Sequence, residues 1–179
     1  DSAHIVVDEC GAPVRFSGSS IQTVPHVDGK LVPAALETFA GWIGVEHHPQ
    51  PAVVSISQAT EMGTCYSLDE LAAICDAAHR HGLLVHLDGA RLANAVAALG
   101  CSADEMIVGT GVDVMTFGMT KNGALFGEAV VFDEEAAKKF LTSVQAPMLS
   151  KLVERFEAFP AFSKHEWEEA FKKLVEEEG

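Results

Sequence analysis

Asp88, Arg91 and Lys121 are the residues of this chain whose types and spacing could do chemistry together. The first two stand in Val85-His86-Leu87-Asp88-Gly89-Ala90-Arg91-Leu92, and the third in Val114-Met115-Thr116-Phe117-Gly118-Met119-Thr120-Lys121-Asn122-Gly123. An acid, a guanidinium and a lysine held close together suit pyridoxal phosphate (PLP). The lysine forms the Schiff base, the carboxylate keeps the pyridine nitrogen protonated and the arginine steadies the ring phenolate. Taken one at a time, the same residues read as a helix cap, a solvated arginine and an ordinary loop lysine.

The elements that must position them are strands. Leu83 to Leu87 is a short apolar run after Gly82, as a buried parallel strand should be, and Asp88 falls where it stops. Val112 to Phe117 reads the same way and ends just before Lys121. In open α/β sheets ligands sit outside the carboxyl ends of the strands, so the three side chains are expected to meet there.

His-Leu-Asp-Gly-Ala-Arg-Leu-Ala-Asn-Ala, followed one βαβ unit later by Thr-Lys-Asn-Gly, resembles the low-specificity L-threonine aldolases and their β-eliminating lyase relatives, fold-type I PLP enzymes. The resemblance runs from about Asp1 to about Lys151 and is strongest between His47 and Phe132. It implies that Lys121 is the Schiff-base lysine, that Asp88 and Arg91 hold the ring, and that Thr120 offers its hydroxyl to the phosphate. Ala3-His4-Ile5 with Glu9 and Gly11 is similar to the segment whose histidine stacks on the cofactor, which gives His4 that role. His47, in Glu46-His47-His48 before the next strand, matches the family's histidine near the substrate hydroxyl, although His48 is one position away. Two adjacent histidines also suggest a metal, but successive side chains point apart and no carboxylate at ligand spacing joins them.

For a complete enzyme the resemblance implies cleavage of a β-hydroxy-α-amino acid such as threonine to glycine and an aldehyde, with His47 or a water it holds taking the hydroxyl proton. The family's Gly-Thr phosphate-binding turn lies upstream of anything present here. Its small C-terminal domain, with an arginine for the substrate carboxylate, has no counterpart. A fragment is therefore expected, with the PLP-binding large-domain portion over 1–147 and a helical C-terminal segment over 148–179. Fold-type I sites lie at subunit interfaces, so the resemblance also implies a homodimer or higher homo-oligomer. Three readings stand: an active PLP lyase, a large-domain fragment or engineered scaffold that binds PLP weakly and turns nothing over, and an interaction module using the terminal helix.

Composition is that of a globular chain of one domain. The 179 residues are 48% hydrophobic and 21% charged, enough for one well-buried core. A formal charge of -14 argues against nucleic acid or an anionic membrane as partner, since both attract basic surfaces. Cys10, Cys65, Cys75 and Cys101 show no disulfide spacing and read as reduced core thiols of a cytoplasmic protein. Neither a signal peptide nor a membrane span is visible in the sequence.

The remaining elements follow from pattern. Ala3 to Val7 and Ile21 to Val24 are expected as strands, Asp28-Gly29 as a turn, and Pro33 to Ile43 as a helix opened by proline. Ala52 to Ile56 is a β-branched strand, and Thr60 to Thr64 follows its carboxyl end, where function would collect. Ser67-Leu68-Asp69-Glu70 is a capping box for a helix with Leu71, Ile74, Cys75 and Ala78 on one stripe. Arg91 to Leu99, closed by Gly100, and Ser102 to Val108 are further helices, and Glu128 to Phe132 a further strand. Helices are also expected over Glu134 to Leu141, over Leu149 to Phe159, and after Ser163, where Trp167, Ala170, Phe171, Leu174 and Val175 form an apolar stripe. The alternation predicts an α/β fold with a mostly parallel sheet and flanking helices.

Overall fold

Apolar and polar residues alternate along the strands, and that alternation decides how the sheet is covered. The structure is a computed structural model that describes residues 1–132. All of these fall within Asp1–Phe140, the first of two units into which the chain divides. Strands β1 (Val53–Ser57), β2 (Leu84–Asp88) and β3 (Val114–Gly118) pair in parallel, and β4 (Glu128–Phe132) closes the order β1-β2-β3-β4 antiparallel to β3. Ser57 lies opposite Asp88, and Asp88 opposite Thr116, so the carboxyl ends of the parallel strands are level.

The crossovers carry α4 (Leu68–Arg80) between β1 and β2, then α5 (Leu92–Leu99) and α6 (Ala103–Ile107) between β2 and β3. Val54 and Ile56, Val85 and Leu87, and Met115 enter one core with Leu71, Ile74 and Ala78 of α4, Leu92 and Ala95 of α5, and Met106 of α6. Each large side chain buried there contributes roughly 1.5–3 kcal/mol relative to an exposed one. The alternate residues Ser55, Ser57, His86, Asp88 and Thr116 project to the opposite face. The sheet is therefore packed by these helices on one face and polar on the other. A parallel strand covered on both faces would read as a continuous apolar run.

Helix starts follow the capping chemistry read from the sequence. Ser67 accepts from the amide of Glu70 while the Glu70 carboxylate accepts from the amide of Ser67, and Ser102 with Glu105 repeats the arrangement at α6. Gly100 ends α5 in the left-handed region at φ 66, where a side chain would be strained.

Four expectations need correction. Ala3 to Val7 is not a strand: His4–Val7 forms a single helical turn, α1, because none of the described strands is beside it and the amides of Val6, Val7 and Asp8 find carbonyls at Ala3 and His4. A second short helix, α2 (Ala12–Ser17), follows it. Ile21 to Val24 forms no regular element. Pro33 to Ile43 divides into a 3-10 turn at Pro33–Leu36 and a short helix, α3 (Glu37–Ala40). Of the cysteines only Cys75 is fully buried, whereas Cys10 is exposed, so they are not all core thiols. The expected helices from Glu134 onward, with the Trp167 to Val175 stripe, lie outside the described residues. Among the described residues no helix is long and apolar enough to cross a membrane.

Candidate active site

The carboxyl end of β2 is shaped by three consecutive constraints. Asp88 turns one carboxylate oxygen back to accept from the amide of Ala90 at 2.9 Å, a local bond that starts the turn out of the strand. The amide of Gly89 donates to the carbonyl of Thr116 at 2.7 Å, and a Cβ at Gly89 would stand 2.8 Å from that same oxygen. Only glycine fits there without moving β3. Arg91 then occupies the N-cap position of α5, and no side-chain bond from the cap residue itself closes that helix start.

Asn122 does so instead. Its side-chain oxygen accepts from the amide of Ala93 at 2.8 Å, in the first turn of α5. Its amide nitrogen faces the carbonyls of Gly89 at 2.9 Å, Ala90 at 3.2 Å and Gly118 at 2.7 Å. The reading of Asp88 as the cap of the following helix is thereby replaced, since Asp88 bonds within its own turn and Asn122 reaches across from the turn Thr120–Asn122 after β3.

These elements enclose a cavity of about 280 Å3 lined by His4, Asp88, Arg91, Thr120 and Lys121, with Glu9 and Glu128 at its wall. Five of the six residues singled out from the sequence are thus brought to one place. One lysine and one arginine cation, the carboxylates of Asp88, Glu9 and Glu128, the hydroxyls of Thr116 and Thr120, and an imidazole share it, a set that can hold an aromatic ligand carrying groups of both signs. His4 is fixed on two sides. Its ring Nδ1 lies 2.7 Å from Glu9 Oε1, and its main-chain amide donates to Glu61 Oε1 at 3.0 Å.

His47 is not brought there. Its side chain is 87% exposed and meets only the neighbouring Glu46 carboxylate, at 3.3 Å, while the ring of His48 packs on Trp42 with centroids 5.0 Å apart. The reason is topological: His47 precedes β1 and so belongs to the amino end of that strand, whereas the cavity lies at the carboxyl ends. The loop is tied down by Gln50, which donates to the carbonyls of Trp42, Val45 and His48.

Two residues of the site region carried no role in the sequence reading. Glu61, just past β1, accepts at one oxygen from the amide of His4 and from the Ser57 hydroxyl at 2.9 Å. Burial alone would raise its pKa, but these bonds, its own amide and the charge of Arg91 outweigh burial and hold it below the usual carboxylate value. The available signal was its place after the carboxyl end of β1. His86 lies between Ser55 Oγ, 2.9 Å from Nδ1, and Thr116 Oγ1, 3.1 Å from Nε2. Burial pushes its pKa down, against the pull of Asp88, so the neutral ring is favoured. The three side chains floor a second cavity of about 370 Å3, which shares Glu9, Asp88 and Thr116 with the first and is walled by Ile5 and Phe16. The signal for His86 was its alternation with Val85 and Leu87.

The chain is similar to known proteins over most of its length. A low specificity L-threonine aldolase of Pseudomonas sp. (strain NCIMB 10558) is 47% identical over 133 residues, which are 74% of this chain and 38% of that protein. Its counterpart from Pseudomonas aeruginosa is 48% identical over the same length and the same shares. A solved Leishmania major threonine aldolase superposes with a TM-score of 0.70 at 32% identity, covering 86% of this chain and 43% of that one. The chain thus spans less than half the length of each of these relatives. The family model described as beta-eliminating lyase matches residues 1–165, and the chain belongs to the β-eliminating lyase family.

Proposed function

We propose that this chain carries the cofactor-holding part of a PLP-dependent lyase of the threonine aldolase type, acting on β-hydroxy-α-amino acids such as threonine. The observation that carries this reading is the convergence of His4, Asp88, Arg91, Thr120 and Lys121 on one cavity at the carboxyl ends of β2 and β3. The chemistry of that donor set fits the ring and aldehyde of PLP, with the Thr120 hydroxyl offered to its phosphate. Asp88 would keep the pyridine nitrogen protonated, and Arg91 would face the phenolate oxygen. His4 would stack on the ring, Thr120 would donate its hydroxyl to the phosphate, and Lys121 would bind covalently at the aldehyde carbon. When bound, PLP supplies an electron sink for the pair left at Cα as the Cα–Cβ bond breaks.

The chain's own residues then have distinct tasks. Asp88 is a fixed negative charge whose turn bond to Ala90 orients it before any ligand arrives, so its effect needs no reorganisation. Lys121, whenever its amine is not bound to the cofactor, would deliver the proton that Cα takes up, and the β-hydroxyl proton would pass to a solvent water. Glu61 keeps the His4 backbone in place without entering the chemistry. His47 has no part in this reading, because it stands at the other end of β1.

Adding PLP to the purified chain, reducing with borohydride and mapping the peptides tests the assignment. The expected product is a phosphopyridoxyl group on Lys121, and labelling at Lys30 or Lys138 instead would overturn it. Glycine release from threonine separates a turning-over lyase from a chain that binds PLP and goes no further. The second outcome is the alternative reading, a chain that holds the cofactor without turnover.

A further inference from the structure

We propose that Asn122 is a positioning residue that locks the Lys121 turn to the Asp88–Arg91 turn; the inference rests on the PLP reading above for its purpose but not for its geometry. Asn122 bonds to four main-chain groups, the amide of Ala93 and the carbonyls of Gly89, Ala90 and Gly118. Those groups belong to the end of β2, the start of α5 and the end of β3. Each of the three residues with chemistry is next in sequence to a group in this clamp: Lys121 to Asn122 itself, Asp88 to Gly89, and Arg91 to Ala90. Beyond the β2–β3 pairing, the main-chain positions of all three residues are therefore tied together through one side chain.

The bonding pattern leaves no freedom in how the amide is oriented. A flipped amide would set its oxygen against three carbonyl oxygens and its hydrogens against the Ala93 N–H. With two hydrogens for three carbonyls, one hydrogen is shared. The same oxygen completes the start of α5, where an ordinary N-cap would be Ser, Thr, Asp or Asn. Arg91 occupies that cap position and has no acceptor to offer. Supplying the cap from Asn122 frees position 91 for a cation that faces the cavity. Displacement of a reacting group by about 1 Å costs on the order of a hundredfold in rate, so a clamp at this point would act on chemistry more than on folding.

The test separates the clamp from the cofactor reading. In the native chain without cofactor, the side-chain amide protons of Asn122 should exchange with solvent at least about tenfold more slowly than those of exposed Asn94; equal rates would remove the clamp. Asn122→Asp keeps the acceptor for Ala93 and loses every donor, whereas Asn122→Ala loses both. Amide exchange at Ala93 should stay slow in the first variant and speed up in the second. In native chain and variants alike, PLP is then added: the Lys121 amine joins the aldehyde carbon with loss of water, and borohydride hydride reduces that carbon–nitrogen link to a stable secondary amine. The Lys121 label is expected to form at least about tenfold more slowly in both variants, at unchanged far-ultraviolet circular dichroism. Variants labelled as fast as the native chain would refute a positioning role. A native chain that takes no label on Lys121 would refute the PLP reading, with the exchange measurements still deciding the clamp.

Discussion

Asp88 serves two ends with one carboxylate. One oxygen is committed to the Ala90 amide, and the group as a whole lines both cavities. Asp88→Asn retains the shape and an oxygen for the turn but removes the charge that would hold a pyridine nitrogen protonated. Turnover is expected to fall by on the order of a hundredfold or more, the scale lost when one preorganised electrostatic group is removed. Thermal stability should hardly change, and an unchanged rate in a stability-matched mutant would reduce Asp88 to a turn residue. Lys121, Asp88 and Arg91 were legible in the sequence because each follows a strand end, a position the apolar runs mark directly. Glu61 and His86 were not, because their partners, the His4 amide and the Thr116 hydroxyl, are far off in sequence. His47 lies away from the cavity, and its place could not be read for the converse reason: nearness to a strand in sequence does not say which end of the sheet it reaches.

Among the elements, those governed by local chemistry were readable and those governed by neighbours were not. The capping box at Ser67 is local and formed as the spacing indicated, and the structure adds a second at Ser102 that the sequence reading gave only as a helix start. Ser67→Ala should cost about 1 kcal/mol, the usual worth of such a cap, visible as a lower urea midpoint at unchanged slope. Because Glu70 also holds Lys30 at 2.6 Å, a loss well beyond that figure would mean that the cap orders the Lys30 segment as well. The β-branched run at Ala3 to Val7 has strand propensity but none of the described strands beside it, so a helical turn satisfies its backbone. The alternation in β1, β2 and β3 was present in the sequence from the start; reading the strands as plain apolar runs concealed the polar face that holds His86 and Asp88.

For the molecule as a whole, the half-buried charges set how stability depends on pH. Glu61 has a folded pKa below its reference value of 4.5, so its contribution is complete above that value and is lost as pH falls through the folded pKa. His86, kept neutral by burial against the pull of Asp88, has a folded pKa below 6.5, so the unfolded chain takes up that proton first and stability declines as pH drops below 6.5. Both act in the same direction. The urea midpoint should fall from pH 7.5 to 5.5 and again towards pH 4, and His86→Gln should flatten the upper step alone. A midpoint that rises on acidification would contradict both assignments.

The strand order has a consequence for how the chain acquires this structure. Because β1, β2, β3 and β4 lie side by side in the order in which they are synthesised, each strand pairs with the one made just before it. No strand has to wait for a distant partner, so the loop-closure entropy is met in successive modest steps rather than one large one. The core side chains of α4 are already in hand when β2 emerges, and those of α5 and α6 when β3 does. Among the described strands a nascent chain can therefore bury its apolar face pair by pair as it leaves the ribosome.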